Sequence, residues 1–321
     1  MTLRRRLIRI MLILLLLPPI LAGIAGWLVA PDFLHPMRRE LTPDLIREAD
    51  ASFAHSGGHR EDFNVRASDG TLLRGWIVRP DHPNDKWVLL FHGVADNRVG
   101  VTGQSEFLLR AGYNVVMMDA RAHGASEGNL ATFGWLERND TKSIVDALLA
   151  QIRRRRTDIQ VQLSPRPPEL LGDFPEQSPH PPPPPTPHIF ALGESMGAGI
   201  ALQSAAVDPH IEAVVAEASF ANLREASYDY AGLRRSPLLG KTLFRPFSWM
   251  LLYHAEKLTD FPIAEVSPEK AVASPAGTPK KSTPPPAAPN NSGKSPVHST
   301  PPPSASNPPS SSAASSIFTL T

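Results

Sequence analysis

Gly193-Glu194-Ser195-Met196-Gly197 is the segment of this chain whose residue types and spacing point most directly to chemistry. A serine oxygen becomes a useful nucleophile when a sharp bend lifts it clear of the backbone and donors wait for the charge that develops on the attacked carbonyl. A G-x-S-x-G run meets both needs where a strand leads in and a helix leads out. The flanking glycines allow a bend that a Cβ would obstruct, and the helix N-terminus adds positive partial charge. Residues 189–192 read as a buried strand and 196–207 as a helix, with Ala198 and Gly199 keeping that helix close to the sheet. The bland alternative is a Gly-rich turn with an incidental serine. Two other polar clusters also close apolar runs. Phe91-His92-Gly93-Val94 offers a second oxyanion donor, the Val94 amide, beside that of Met196. Asp119-Ala120-Arg121-Ala122-His123-Gly124 follows the run 114–118.

These clusters need a scaffold, and the hydropathy pattern supplies one. Residues 62–67 and 72–78 flank Ser68-Asp69-Gly70-Thr71, a hairpin signal. The runs 87–91, 114–118, 189–192 and 211–216 are continuously apolar, as strands covered on both faces are. Helical patterns lie between them at 105–110, closed by Gly112, and on the face Ile144, Val145, Leu148, Leu149, Ile152. Alternating strands and helices predict an α/β fold: a mostly parallel sheet with helices on both faces.

The three loop motifs, in this order, resemble the α/β-hydrolase superfamily, with closest likeness to serine hydrolases of the serine-aminopeptidase and monoglyceride-lipase type. There H-G follows strand three, D-x-R-x-H-G strand four and G-x-S-M-G strand five. The resemblance covers about residues 61–273 with a Pro-rich insertion excised. It implies that Ser195 is the nucleophile, that the Val94 and Met196 amides form the oxyanion hole, and that no metal or organic cofactor takes part. Asp119, Arg121 and His123 would then organise loops, and His92 reads as structural.

A serine of this kind needs a histidine base and an orienting acid, which the superfamily carries later in the chain. After Ser195 the histidines are His210, His254 and His298, and none is well placed: His210 in a turn at the sheet's other end, His254 in an aromatic-rich helix, His298 in a low-complexity tail. Glu217, closing the run 211–216, is an alternative acid without a histidine to orient. The expectation is an incomplete core (61–163 and 188–273) lacking the last strands, in a C-terminally truncated or frame-shifted hydrolase. Such a chain is expected to be poorly soluble.

Composition bounds the rest. Thirty-two Lys and Arg against 31 Asp and Glu leave a net charge of +1, so no global field calls for nucleic acid. The absence of cysteine excludes disulfides, thiolate metal sites and a thiol nucleophile. Of 35 prolines, 11 fall in 164–188 and 12 in 274–321. The first stretch, with five consecutive prolines, is an insertion (164–187) that cannot join a sheet, read as a disordered spacer or, alternatively, a ligand for a proline-binding partner. The second, with twelve serines, is expected to be a disordered tail (274–321). Arg4, Arg5, Arg6 and Arg9 precede 21 uncharged residues, 10–30, about 32 Å of helix. This predicts a membrane anchor within residues 1–35, followed by a stalk over 36–60. The basic flank would be cytoplasmic and the hydrolase domain extracytoplasmic. A cleaved signal and a buried soluble helix are the competing readings. Residues 221–262, rich in Leu, Phe, Trp and Tyr, form either a lid favouring acyl substrates or core-packing helices. The sequence thus points to a membrane-anchored hydrolase of an ester, thioester or amide, acting on a small-molecule acyl substrate. The alternatives are a catalytically inactive fold used for binding or scaffolding, and a single-pass structural membrane protein.

Overall fold

The computed structural model describes residues 3–163, 186–230, 237–259, 261–273 and 315–319. The Pro-rich insertion falls outside these residues except at 186–187, and so does the tail except for 315–319.

Strands β1 (Gly58–Arg66) and β2 (Leu72–Pro80) form the predicted antiparallel hairpin, with Gly70 at φ 87° in the turn and the Thr71 amide donating to Asp69 Oδ1 at 3.0 Å. β3 (Lys86–Phe91), β4 (Asn114–Met118), β5 (His188–Glu194) and β6 (Ile211–Glu217) pair in parallel, β3 lying between β4 and β5, while β2 runs antiparallel to β4. The sheet order is β1-β2-β4-β3-β5-β6-β7. β7 (Ser315–Thr319) comes from the region expected to be a disordered tail and pairs antiparallel with β6, so these five residues form the edge of the sheet.

Period-2 alternation sorts the strand side chains into two cores. Val116, Met118, Leu89 and Phe91 face one layer, which includes α4 (Glu137–Leu163) and α5 (Met196–Ala205). Val115, Met117, Val88 and Leu90 face the other, with α2 (Pro43–His55) and α3 (Thr102–Arg110). The expected doubly covered, mostly parallel α/β sheet is the observed one.

The N-terminal region departs from the stalk expected over 36–60. α2 is capped by Thr42, with Pro43 in its first turn, and buries Ala49 and Phe53 in the second core. Phe53 meets Trp76 edge to face at 6.1 Å. These residues are part of the domain, because their apolar face has the β2 surface to cover. Ahead of α2, Arg38 donates to the Ser126 carbonyl at 2.6 Å and to that of Gly128, and Arg39 pairs with Asp96 at 2.7 Å. The strap from His35 to Leu41 therefore crosses the loops that follow β3 and β4.

α1 (Leu3–Leu34) is long and apolar enough, by length and composition, to cross a membrane, and it has two different halves. Up to Leu21 its Leu, Ile and Met side chains are exposed, with Pro18 and Pro19 half-buried. Beyond that point Ala22, Gly23, Gly26, Ala30, Phe33 and Leu34 are buried. They pack on α8 (Arg245–Thr259), which follows α6 (Leu223–Tyr230) and α7 (Pro237–Lys241) and precedes α9 (Pro268–Ala273). A Cβ on Gly26 would lie 2.1 Å from the Phe247 carbonyl oxygen, so only glycine permits this approach. Trp27 stacks on His254 at 3.7 Å, and Phe33 on Phe133 at 4.7 Å. In the region read as lid or core, Leu223, Phe247, Leu251, Leu252 and Phe261 join the first core, whereas Leu238, Trp249 and Tyr253 stay exposed.

Candidate functional site

Ser195 sits between β5 and α5 at φ 53°, ψ −113°, a conformation that L-residues adopt only when the surroundings impose it. Two glycines impose it. A Cβ on Gly193 would fall 2.3 Å from the Gly197 carbonyl oxygen, and one on Gly197 would fall 2.2 Å from that of Phe91. The Ser195 amide donates to the Glu217 carbonyl at 2.9 Å, tying the bend to the end of β6. The side chain is half-buried and projects at the C-terminal edge of the sheet, as a strand–turn–helix elbow requires.

The β3–β5 register brings the other motif alongside. Phe91 lies opposite Gly193 in the last pair of that register, which brings Gly93 beside Ser195 and Val94 next along the same loop. A Cβ on Gly93 would stand 3.8 Å from that of Ser195. Met196 opens α5, so its amide has no acceptor within the helix. Three carboxylates share this edge. Burial, then the nearby Glu217 and Asp96 charges, hold the Glu194 carboxyl above its ordinary range.

The loops that carry these groups are held by a buried ion pair that the sequence did not single out. Asp119 accepts from the Arg98 amide at 2.7 Å and from Arg98 Nε and Nη2 at 3.1 and 2.7 Å. It also accepts from the Ala125 amide at 2.7 Å. Arg98 thus links the loop after β3 to the loop after β4, its guanidinium lying over Trp76. Arg121 forms a second fork, to Asp140 at 2.7 and 2.5 Å, and reaches Asp69 at 3.0 Å. A buried arginine has no local sequence signature; its partner's position at a strand end was the available clue.

The histidines fall into distinct places. His92 Nδ1–H donates to the Gly93 carbonyl at 2.7 Å while Nε2 accepts from the Ala120 amide at 3.0 Å, so both ring nitrogens are engaged. His123 is fully buried 5.2 Å from it, donating through Nδ1 to the Arg121 carbonyl. His210 pairs with Asp208 before β6 starts, at the opposite end of the parallel strands from Ser195. His254 belongs to the α1–α8 contact and donates to the Trp27 carbonyl at 2.7 Å. His298 lies outside the described residues. Among the described hydrogen bonds none joins a histidine to the Ser195 hydroxyl.

The buried histidine pair makes acid sensitivity an expected property. Burial first, then the neighbouring His92, pushes His123 down to about 4, against about 6.5 in an unfolded chain. Between these values the unfolded state binds more protons than the folded one. Stability contributed by neutral His123 is therefore complete above pH 6.5 and is lost as pH falls toward 4, by up to about 3 kcal/mol. Thermal melts from pH 7 to pH 4.5 should show a falling Tm, with a shallower slope in His123→Asn. Equal slopes would remove His123 as the cause.

The family model of the X-Pro dipeptidyl-peptidases (S15 family) matches residues 54–247, more than half of the chain. The chain belongs to the S15 family. This places it among the serine hydrolases of the α/β-hydrolase clan, the superfamily that the three loop motifs resemble. The S15 match begins inside α2 and ends inside α8. The uncharacterized protein YqkD of Bacillus subtilis (strain 168) is 28% identical over 93 residues, which are 29% of this chain and 30% of that protein. The alignment thus spans under a third of the length of that curated relative. Among solved structures, the Pyrococcus furiosus esterase Pf2001 is 25% identical, with 67% of this chain and 69% of that chain covered and a TM-score of 0.46. The hypothetical protein PA2218 from Pseudomonas aeruginosa is 18% identical over 60% of this chain and 52% of its own, with a TM-score of 0.41.

Proposed function

We propose that this S15-family chain is a membrane-anchored serine hydrolase that cleaves an ester, thioester or amide through an acyl-serine intermediate. The Ser195 oxygen attacks the carbonyl carbon, and the negative charge moves to the carbonyl oxygen, where the Val94 and Met196 amides receive it. Collapse expels the alcohol, thiol or amine, which carries away the serine proton. Water then attacks the acyl-serine and releases the acid. The observation that carries the reading is the left-handed backbone of Ser195 in a strand–turn–helix bend that two glycines make possible. Apolar α1 would hold the domain at the membrane, with Arg4, Arg5, Arg6 and Arg9 on the cytoplasmic side and the domain outside.

A second reading, an inactive fold used for binding or scaffolding, is favoured by one observation: among the described residues no histidine bonds to Ser195. A fluorophosphonate probe separates the two. The folded protein is expected to be labelled at Ser195, with labelling lost in Ser195→Ala. An unlabelled but folded wild type would favour the scaffold.

A further inference from the structure

Where α1 leaves the domain, it and the start of α8 stop touching. Above this point Gly26 brings the two helices into backbone contact at Phe247, and Gly23 faces the Pro246 and Met250 side chains. Below it a groove of about 440 Å³ opens, lined by Leu17, Pro18, Leu21, Ala25, Phe244 and Phe247. That volume is in the range of small-ligand sites, roughly 300–1,000 Å³. Every one of those side chains is apolar, so the groove contains no group that would select a polar ligand. It continues directly into the exposed apolar face of α1, where Leu12, Leu14 and Leu16 are 44%, 70% and 53% exposed. A surface of that extent is expected to face lipid or another apolar partner. Lys241 closes α7, and Arg245 opens α8 next to Phe244; both are exposed. An apolar slot with exposed cations one and three positions in the chain from its Phe244 wall matches the two ends of one molecule, an acyl chain and a phosphate.

We propose that this groove binds one acyl chain of a bilayer phospholipid, with the headgroup phosphate at Lys241 and Arg245. The inference rests on the anchoring proposed above and adds a defined lipid site beside the anchor. Continuity with the exposed half of α1 argues for lipid over a second copy, because the same membrane that receives that half would fill the groove. The close helix contact at Gly26 bounds the groove on the domain side, so the groove opens only toward the exposed turns of α1.

The test uses the full chain in nanodiscs of phosphatidylethanolamine and phosphatidylglycerol, the latter carrying a diazirine in mid-chain, with adducts mapped by peptide mass spectrometry. Adducts are expected at Phe244–Phe247 as well as at residues 12–16. Ala25 is exposed, so Ala25→Phe should fill the slot without disturbing the helix contact. It should reduce the Phe244–Phe247 adducts at least about tenfold, the effect of expelling roughly two methylenes, and leave those at residues 12–16 unchanged. Lys241→Glu with Arg245→Glu should also reduce the groove adducts selectively. Adducts at residues 12–16 without any at Phe244–Phe247, or groove adducts unchanged by Ala25→Phe, would overturn the site alone. A dimer that places a second α1 against Phe247 would do the same. No adducts at either place would overturn the anchoring and the site with it.

Discussion

Asp119→Ala is expected to destabilise the domain by about 3–5 kcal/mol, the usual consequence of stripping the partner from a buried charge. The side chain of Asp119 has no exposed surface, and that of Arg98 is 4% exposed. Removing the carboxylate leaves the Arg98 guanidinium buried without a counter-charge and leaves the Arg98 and Ala125 amides without their acceptor. A domain is commonly stable by about 5–15 kcal/mol, so this one change removes a large part of the total. It should also act on chemistry. The Arg98–Asp119 pair anchors the far end of the loop that carries Val94, and a loosened loop would hold the proposed oxyanion donor poorly. Urea unfolding should show a lower midpoint, and fluorophosphonate labelling should slow even at temperatures where the variant is folded. Asp119→Asn keeps acceptor capacity without the charge and should fall between wild type and alanine. A midpoint within error of wild type for Asp119→Ala would contradict the assigned role.

Gly197→Ala is expected to abolish Ser195 labelling and to destabilise the fold by up to about 3 kcal/mol, as overpacking a tight site does. The added methyl would stand 2.2 Å from the Phe91 carbonyl oxygen and 2.7 Å from that of His92. Phe91 ends β3, a strand paired on both sides, and His92 follows it directly, so neither carbonyl can retreat without disturbing the sheet. Relief must come from α5, which would swing away and carry the elbow with it. Gly103→Ala is the matched control. Its Cβ would meet nothing within 4 Å, and it sits within helix α3. That change should be neutral or stabilising by a few tenths to about 1 kcal/mol, since alanine favours helix over glycine. Retained labelling in Gly197→Ala would mean that the elbow tolerates a methyl and that the close-packed geometry around Ser195 is not required.

Much of this architecture follows from short-range rules. Four apolar runs bounded by polar loops read as buried strands because a strand covered on both faces has no polar side to show. The hairpin at Asp69-Gly70 is legible because few residues other than glycine accept its backbone angle. The elbow at Ser195 is legible for the same kind of reason: two glycines at fixed spacing between a strand and a helix permit a bend that any side chain there would block.

Other features depend on groups far apart in the chain. Arg98 carries no mark of burial in the sequence, and the fold lays it against Asp119, 21 positions away. The backbone groups that engage the ring nitrogens of His92 and His123 come from other loop residues and are set only by the fold. A stalk and a domain segment have similar compositions over 36–60, and only the β2 surface waiting beside Phe53 separates them. The tail's five paired residues are fixed by the open edge of β6, which nothing within 315–319 announces.

What the residue order determined by itself was the layered α/β scaffold and the bend that presents the serine, because periodicity and the missing Cβ of glycine act over a few residues. What the tertiary structure decided was the fate of α1. An apolar helix is equally suited to lipid and to protein, and the difference is made by the neighbour each turn meets. The turns from Ala22 to Leu34 meet α8 and the loop at Phe133, while in the turns before them the Leu, Ile and Met side chains are exposed and Leu17, Pro18 and Leu21 line the groove.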